Sequence, residues 1–180
     1  NIAIGASYAG KRSLVATSGG GFSLMVEGLG MAAMTETPLV IVMGTRPGPS
    51  SGLPTWTGQG DLKFVLNSSQ GEFMRVVLTP GDPQECFEMI QIAFNLADKY
   101  QTPVFLLADK FLCESVGTIK ESDLQKINLA TPKLIPTGNK NAVAKMENYK
   151  RYKITESGIS PRALPGEVFF ITNSYEHDEF

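Results

Sequence analysis

With 180 residues, 42% of them hydrophobic and 19% charged, the chain has the composition of a globular protein able to bury a substantial core. Its 16 basic and 18 acidic residues give a formal net charge of -2 with no dense basic run, which argues against nucleic acid or an anionic membrane surface as a partner. The longest apolar runs, such as Pro38–Met43, suit a strand and are far too short to span a bilayer, and the opening residues read as neither a secretory nor a transit segment, so a cytoplasmic location is expected.

Asn1 to Gly10 (NIAIGASYAG) has the character of the last turns of a helix that Gly10 stops, and the chain is expected to begin inside a domain whose first elements precede Asn1. Ser13–Ser18 (SLVATS) reads as the first strand. Gly19, Gly20 and Gly21 then turn into a helix over about Phe22–Thr35, with Phe22, Met25, Leu29 and Ala33 at helical spacing. Three glycines let a backbone approach a ligand unobstructed, and a new helix offers unpaired N–H groups. A plain tight turn accounts for the same residues, since no phosphate-loop pattern is present.

Thr37-Pro38 opens a second strand, PLVIVMG, whose unbroken apolar character points to a strand covered on both faces and hence parallel. The loop from Arg46 to Thr57 carries Pro47, Pro49 and Pro54 with Gly48 and Gly52, so it is stiff. A short helix is expected near Gln59–Asn67 and a third strand at Met74–Thr79. Asp82-Pro83-Gln84-Glu85 is a strong helix start, with an acceptor cap, proline at the first position and glutamate three residues after the cap. That helix runs to about Tyr100 and leads into a fourth strand, PVFLLAD. Glu121–Tyr152 is polar and rich in Lys, Asn and Pro, and reads as a linker lying on the domain surface. Gly158–Gly166 (GISPRALPG) leads into a short strand at Val168–Thr172. The expected division is a first domain over 1–118, a linker over 119–166 and the start of a second domain over 167–180.

The fold expected is thus α/β, a mostly parallel sheet with helices on both faces. Ligands in such sheets sit in the crevice beyond the carboxyl ends of the strands. Both the glycine turn and the Arg46 loop open onto that crevice. A guanidinium held there can bridge a carboxylate at two points, although a surface arginine paired to a nearby acid would look the same. Thr55 and Ser51 add hydroxyls on the loop, where turn chemistry is their ordinary role. His177 is the single histidine, so no His-dependent triad or multi-histidine metal site can be built. Cys86 and Cys113 cannot alone ligate an iron–sulfur cluster or a structural zinc, and Cys86 falls on an apolar helix face as a small buried hydrophobe. Glu27 and Glu36 read as solvated or helix-end charges, and Arg162 and the Lys150-Arg151-Lys153 run as linker contacts.

The run from Gly5 to Thr55, with Gln59-Gly60-Asp61-Leu62, the later CFEMIQIAFNLADKYQTPVFLLAD, RYKITESGISPRALPG and the terminal EHDE, resembles the alpha subunit of 2-oxoacid:ferredoxin oxidoreductases of the 2-oxoglutarate type. The resemblance runs from Ile2 to Asp178 and implies a thiamine diphosphate pyrimidine-binding domain. It implies oxidative decarboxylation of a 2-oxoacid with coenzyme A, electrons passing through iron–sulfur centres to ferredoxin. Under it, Ser18, Gly19, Gly20, Gly21 and Phe22 match the loop beside the cofactor's aminopyrimidine. Arg46 matches the arginine that binds the substrate carboxylate, and Thr55 the threonine that assists it. Gly20 departs from the proline common in the family. The glutamate that activates the aminopyrimidine is expected upstream of Asn1. The diphosphate site with its magnesium, and the iron–sulfur cluster, are expected on a partner beta subunit. Two other readings stand beside it: a non-catalytic α/β binding or assembly module, and a flavodoxin-like phosphate binder, which leaves the stiff Arg46 loop without a role.

Overall fold

The computed structural model describes residues 1–124, 126–130, 134, 149–165 and 177–179. The chain opens with α1 (Ile2–Tyr8) and β1 (Leu14–Ser18), followed by α2 (Gly19–Ser23), α3 (Val26–Met34) and β2 (Leu39–Thr45). After a long loop come α4 (Leu62–Asn67), β3 (Val76–Leu78), α5 (Pro83–Tyr100), β4 (Pro103–Asp109) and α6 (Lys110–Glu114). The four strands form one sheet in the order β1-β2-β4-β3, every pair parallel.

Alternate side chains of the two central strands supply two cores, as the pleat requires. Leu39, Ile41, Met43, Phe105 and Leu107 face Ile4 of α1, Phe22 of α2, Leu29 and Ala32 of α3 and Val65 of α4. Val40 and Val104 point to the other face and meet Ala93 and Ala97 of α5, with Ile90 and Phe94 at the margin. Phe22 anchors the first core. Its ring stands edge-on to Phe64 and Phe105, with centroids 5.1 and 5.5 Å away, a geometry worth about 0.5–1.5 kcal/mol per pair beyond area burial.

The start of α5 follows the sequence signal. Asp82 Oδ1 accepts the Glu85 N–H at 2.8 Å, Glu85 Oε2 accepts the Gly81 N–H at 2.6 Å, and Pro83 fills the first turn.

Several expectations need correction. The helix expected over Phe22–Thr35 is two helices that start earlier. Ser18 precedes the first helical turn, and the chain tightens at Leu24 and Met25, whose N–H groups bond to Gly21 O and Phe22 O at 3.2 and 2.8 Å. Gly21 seats this turn against the strand end, where a Cβ would sit 2.2 Å from Thr17 Oγ1. The helix near Gln59–Asn67 begins only at Leu62, and the third strand is Val76–Leu78 alone, since only these residues pair with β4. Helix α6, which the sequence reading missed, is a single turn started by Asp109 Oδ1 accepting the Leu112 N–H at 2.8 Å.

The described part of the expected linker does not simply lie on the surface. Arg151, Tyr152, Arg162 and Ala163 are buried at the amino ends of the strands. Arg151 donates to Glu36 Oε2, to the Thr35 and Glu36 carbonyls and to Gln101 Oε1, all within 3.0 Å. It thereby closes the C-termini of α3 and α5, where Glu36 and Gln101 take positive φ of 48° and 50°. Arg162 donates to the Ser7 carbonyl, and Leu134 bridges Arg162. His177 stacks on Tyr152, with ring centroids 3.5 Å apart. The strand expected at Val168–Thr172 lies outside the described residues.

Candidate functional site

The first two strands end side by side, with Ser18 opposite Gly44. The glycine turn Ser18–Phe22 and the arginine loop therefore open next to each other at the carboxyl edge of the sheet, where ligands of parallel sheets sit. At the turn, Ser18 precedes α2 with an extended backbone and its side chain makes no capping hydrogen bond. Gly19, Gly20 and Gly21 are half-buried, while Phe22 is fully buried. Its ring serves the core, so what Phe22 presents to the crevice is backbone.

The loop from Arg46 to Gly58 is closed at its base, where Thr45 Oγ1 donates to the Gly58 carbonyl at 2.5 Å. It folds on itself through Leu53 N–H to Pro47 O at 3.1 Å and Trp56 N–H to Leu53 O at 3.0 Å. Gly52, at φ 53°, is required there, since a Cβ would lie 2.0 Å from Pro47 O. At the loop's far end, Gln59 Nε2 donates to Asp109 Oδ2 at 2.9 Å and Thr57 Oγ1 accepts the Phe111 N–H at 3.4 Å. The Leu112 N–H and the Gln59 amide hold the Asp109 carboxyl below its ordinary value.

Arg46 is half-buried, and its Nε is shut from solvent without a hydrogen-bond partner. Its Nη2 would lie 3.7 Å from a Cβ on Gly20, as would the Ser50 carbonyl oxygen. The structure thus brings Arg46 onto the glycine turn. Thr55 is exposed on the loop's outer turn, beside the exposed Trp56. Asp61, which sequence reasoning passed over, belongs with the first group: its Oδ2 accepts the Arg46 backbone N–H at 3.4 Å, and its carboxylate lies against Gly19. Gln59 and Asp109 were missed as well. The only sequence signal for Gln59 and Asp61 was that both fall in the QGDL motif.

Both thiols lie at this end of the sheet. Burial, then the neighbouring Cys113, Asp82 and Glu85, push the Cys86 thiol up. Burial with Asp109 and Glu114 does the same for Cys113, whose Sγ packs on Gly44. Both stay protonated near neutral pH and are poor nucleophiles. Among the described residues no group of three or more His, Cys, Asp or Glu is placed to hold a metal ion, and no helix is long and apolar enough to cross a membrane.

Residues 1–162 match the family model described as pyruvate flavodoxin/ferredoxin oxidoreductase, thiamine diphosphate-binding. The chain is 48% identical over 181 residues to 2-oxoacid:ferredoxin oxidoreductase 1, subunit alpha, of Sulfurisphaera tokodaii, covering 99% of this chain and 28% of that protein. It is 37% identical over 177 residues to the 2-oxoglutarate synthase subunit KorA of Methanothermobacter thermautotrophicus, covering 98% of this chain and 45% of that one. Among solved structures it is similar to the 2-oxoglutarate:ferredoxin oxidoreductase from Magnetococcus marinus with 2-oxoglutarate, coenzyme A and succinyl-CoA bound. The TM-score is 0.81 at 41% identity, over 99% of this chain and 30% of that chain. This chain therefore spans less than half the length of each of these relatives. With a matching parallel fold and a family model covering nine-tenths of its length, it belongs to the thiamine diphosphate-binding family of pyruvate flavodoxin/ferredoxin oxidoreductases.

Proposed function

We propose that this chain is part of the alpha subunit of a 2-oxoacid:ferredoxin oxidoreductase, a cytoplasmic enzyme. Such an enzyme decarboxylates a 2-oxoacid oxidatively, transfers the acyl group to coenzyme A and passes electrons to ferredoxin. The observation that carries the reading is the Arg46 Nε, buried without an acceptor beside the glycine turn. A buried donor left unpaired costs about 1–3 kcal/mol, and a substrate carboxylate on the guanidinium relieves that cost. Arg46 would bind and orient the carboxylate, and Thr55 would add a hydroxyl from the outer turn.

The residues present fit thiamine diphosphate. No Cβ obstructs Gly19–Gly21, and at Gly20 the nearest groups stand 3.7 Å from where one would be, so a planar ring can approach the backbone. Ser18 and Gly19–Gly21 would lie along the aminopyrimidine, with Phe22 fixing the turn from the core side. When bound, thiamine diphosphate supplies the electron sink that decarboxylation needs. A partner beta subunit would hold the diphosphate with its magnesium and carry the iron–sulfur cluster, so that the cofactor is shared between subunits. Names of relatives as alpha subunits support this.

Steady-state kinetics of Arg46→Ala in the enzyme assembled from the full subunits tests the reading. The kcat/KM for the 2-oxoacid should fall roughly tenfold to a few hundredfold. Arg46→Lys should rescue only in part, because an ammonium cannot reproduce the planar two-point bridge. Thiamine diphosphate affinity should change little. An unchanged kcat/KM refutes the reading.

A further inference from the structure

Among the described residues three aspartates stand immediately before helices, Asp61, Asp82 and Asp109, and they are used differently. Asp82 Oδ1 accepts the Glu85 N–H and Asp109 Oδ1 the Leu112 N–H, each at 2.8 Å, the ordinary capping role. Asp61 precedes α4, yet its side chain accepts no amide of that helix. It turns back across the crevice, and Oδ2 takes the Arg46 backbone N–H at 3.4 Å. The carboxylate lies so close to the glycine turn that a Cβ on Gly19 would stand 3.2 Å from Oδ2 and 3.4 Å from Oδ1. One residue on, a Cβ at Gly20 would meet Arg46 Nη2 at 3.7 Å.

The acid and the base thus rest on consecutive glycines without forming an ion pair. Arg46 appears in none of the ion pairs among the described residues. Asp61 holds the backbone of Arg46 and leaves its guanidinium unneutralised. A ligand carboxylate entering the crevice meets attraction over Gly20 and repulsion over Gly19, so the two charges also set its orientation. Small displacements matter in such sites, because binding groups must be held to within about 0.5 Å of their productive place.

We propose that Asp61 is a positioning residue that acts through Arg46, fixing the guanidinium over Gly20 for the substrate carboxylate while leaving its charge available. The inference rests on the proposed reading of Arg46 as the carboxylate-binding group. It assigns to Asp61 no contact with the cofactor.

The test is a double-mutant cycle in the enzyme assembled from the full alpha subunit and its partner, saturated with thiamine diphosphate. Asp61→Ala should raise KM for the 2-oxoacid about two- to tenfold with kcat within about twofold of wild type. Asp61→Asn, which keeps an oxygen acceptor for the Arg46 N–H, should recover most of the loss. In an Arg46→Ala background, Asp61→Ala should change KM by less than about twofold, since the residue it acts through is gone. Thiamine diphosphate affinity, read by titration without turnover, should be unchanged by Asp61→Ala. Independent, multiplying effects of the two substitutions overturn the proposal, as does a loss of cofactor affinity with normal substrate saturation. Should Asp61→Ala not fold, Asp61→Glu, which keeps the charge and displaces the acceptor, is read in the same cycle by the same criteria. If Arg46→Ala impairs the enzyme and no Asp61 variant does, this inference alone fails. If Arg46→Ala has no effect, the functional reading and this inference fail together.

Discussion

Gln59 Nε2 donates to Asp109 Oδ2 at 2.9 Å, joining the far end of the arginine loop to the end of β4. The other carboxylate oxygen caps α6 by accepting the Leu112 N–H. One side chain at a strand end therefore fixes both the loop that carries Arg46 and the helix beside it.

Replacing Gln59 with leucine should free the loop while sparing the core, because Gln59 is exposed. A hydrogen bond to an ionised carboxylate contributes about 1.5–3 kcal/mol, so melting should fall by roughly 3–12 °C. Amide hydrogen exchange over residues 46–58 should quicken. In the assembled enzyme kcat/KM should fall about two- to tenfold, the loss arising in KM. Exchange as slow as in the wild type would show that Thr45 and Thr57 hold the loop without Gln59.

The same carboxylate sets a pH dependence. Leu112 N–H and the Gln59 amide hold its folded-state value below the ordinary one. The stabilisation is therefore fully present above the unfolded value of about 3.9, and is lost as pH falls through the lower folded value. Acidification below about pH 4 should release the loop. Trp56, the chain's single tryptophan, stands exposed on that loop and reports the change by its emission. Asp109→Asn should remove the acid transition; a transition that survives belongs to another group.

Outside the site, Arg151 ties three segments of the chain together. It is buried and donates to the Thr35 and Glu36 carbonyls, Glu36 Oε2, Gln101 Oε1 and the Pro161 carbonyl. Arg151→Ala leaves the acceptors at two helix ends unpaired and should cost about 3–5 kcal/mol. At about 2–4 °C per kcal/mol, melting should fall by roughly 6–20 °C. Arg151→Lys should recover only part of it, since one ammonium cannot reach acceptors spread over three segments. A fall below a few degrees would mean that Arg162 and Tyr152 hold the segment unaided.

Gly20 sits in the first turn of α2. An added Cβ would meet nothing closer than 3.7 Å, ordinary contact. Gly20→Ala should therefore raise stability by about 0.5–1 kcal/mol through reduced freedom of the unfolded chain, seen as a higher Tm. Gly21→Ala should do the opposite, because its Cβ would strike Thr17 Oγ1 at 2.2 Å.

What the sequence determined by itself was whatever is written in local chemistry. The apolar runs at Leu39 and Val104 specify buried parallel strands, because only a strand covered on both faces dispenses with polar alternation. Asp82-Pro83 with Glu85 specifies a helix start, because its groups bond within four residues. The prolines and Gly52 specify a stiff loop. Arg46 stood out because such a loop follows a buried strand.

The tertiary structure alone decided which distant groups meet. The break between α2 and α3 and the seat of Gly21 against Thr17 are visible only in the folded chain. The partners of Gln59 and Arg151 lie 50 and 115 residues away in sequence. Asp61 before a short helix looks from its neighbours like any capping aspartate. Only the folded crevice shows its carboxylate turned onto Gly19 and the Arg46 amide. Pairing across such distances leaves no periodic or compositional trace, since each partner taken alone is an ordinary surface polar residue and the closing of the sheet brings them together.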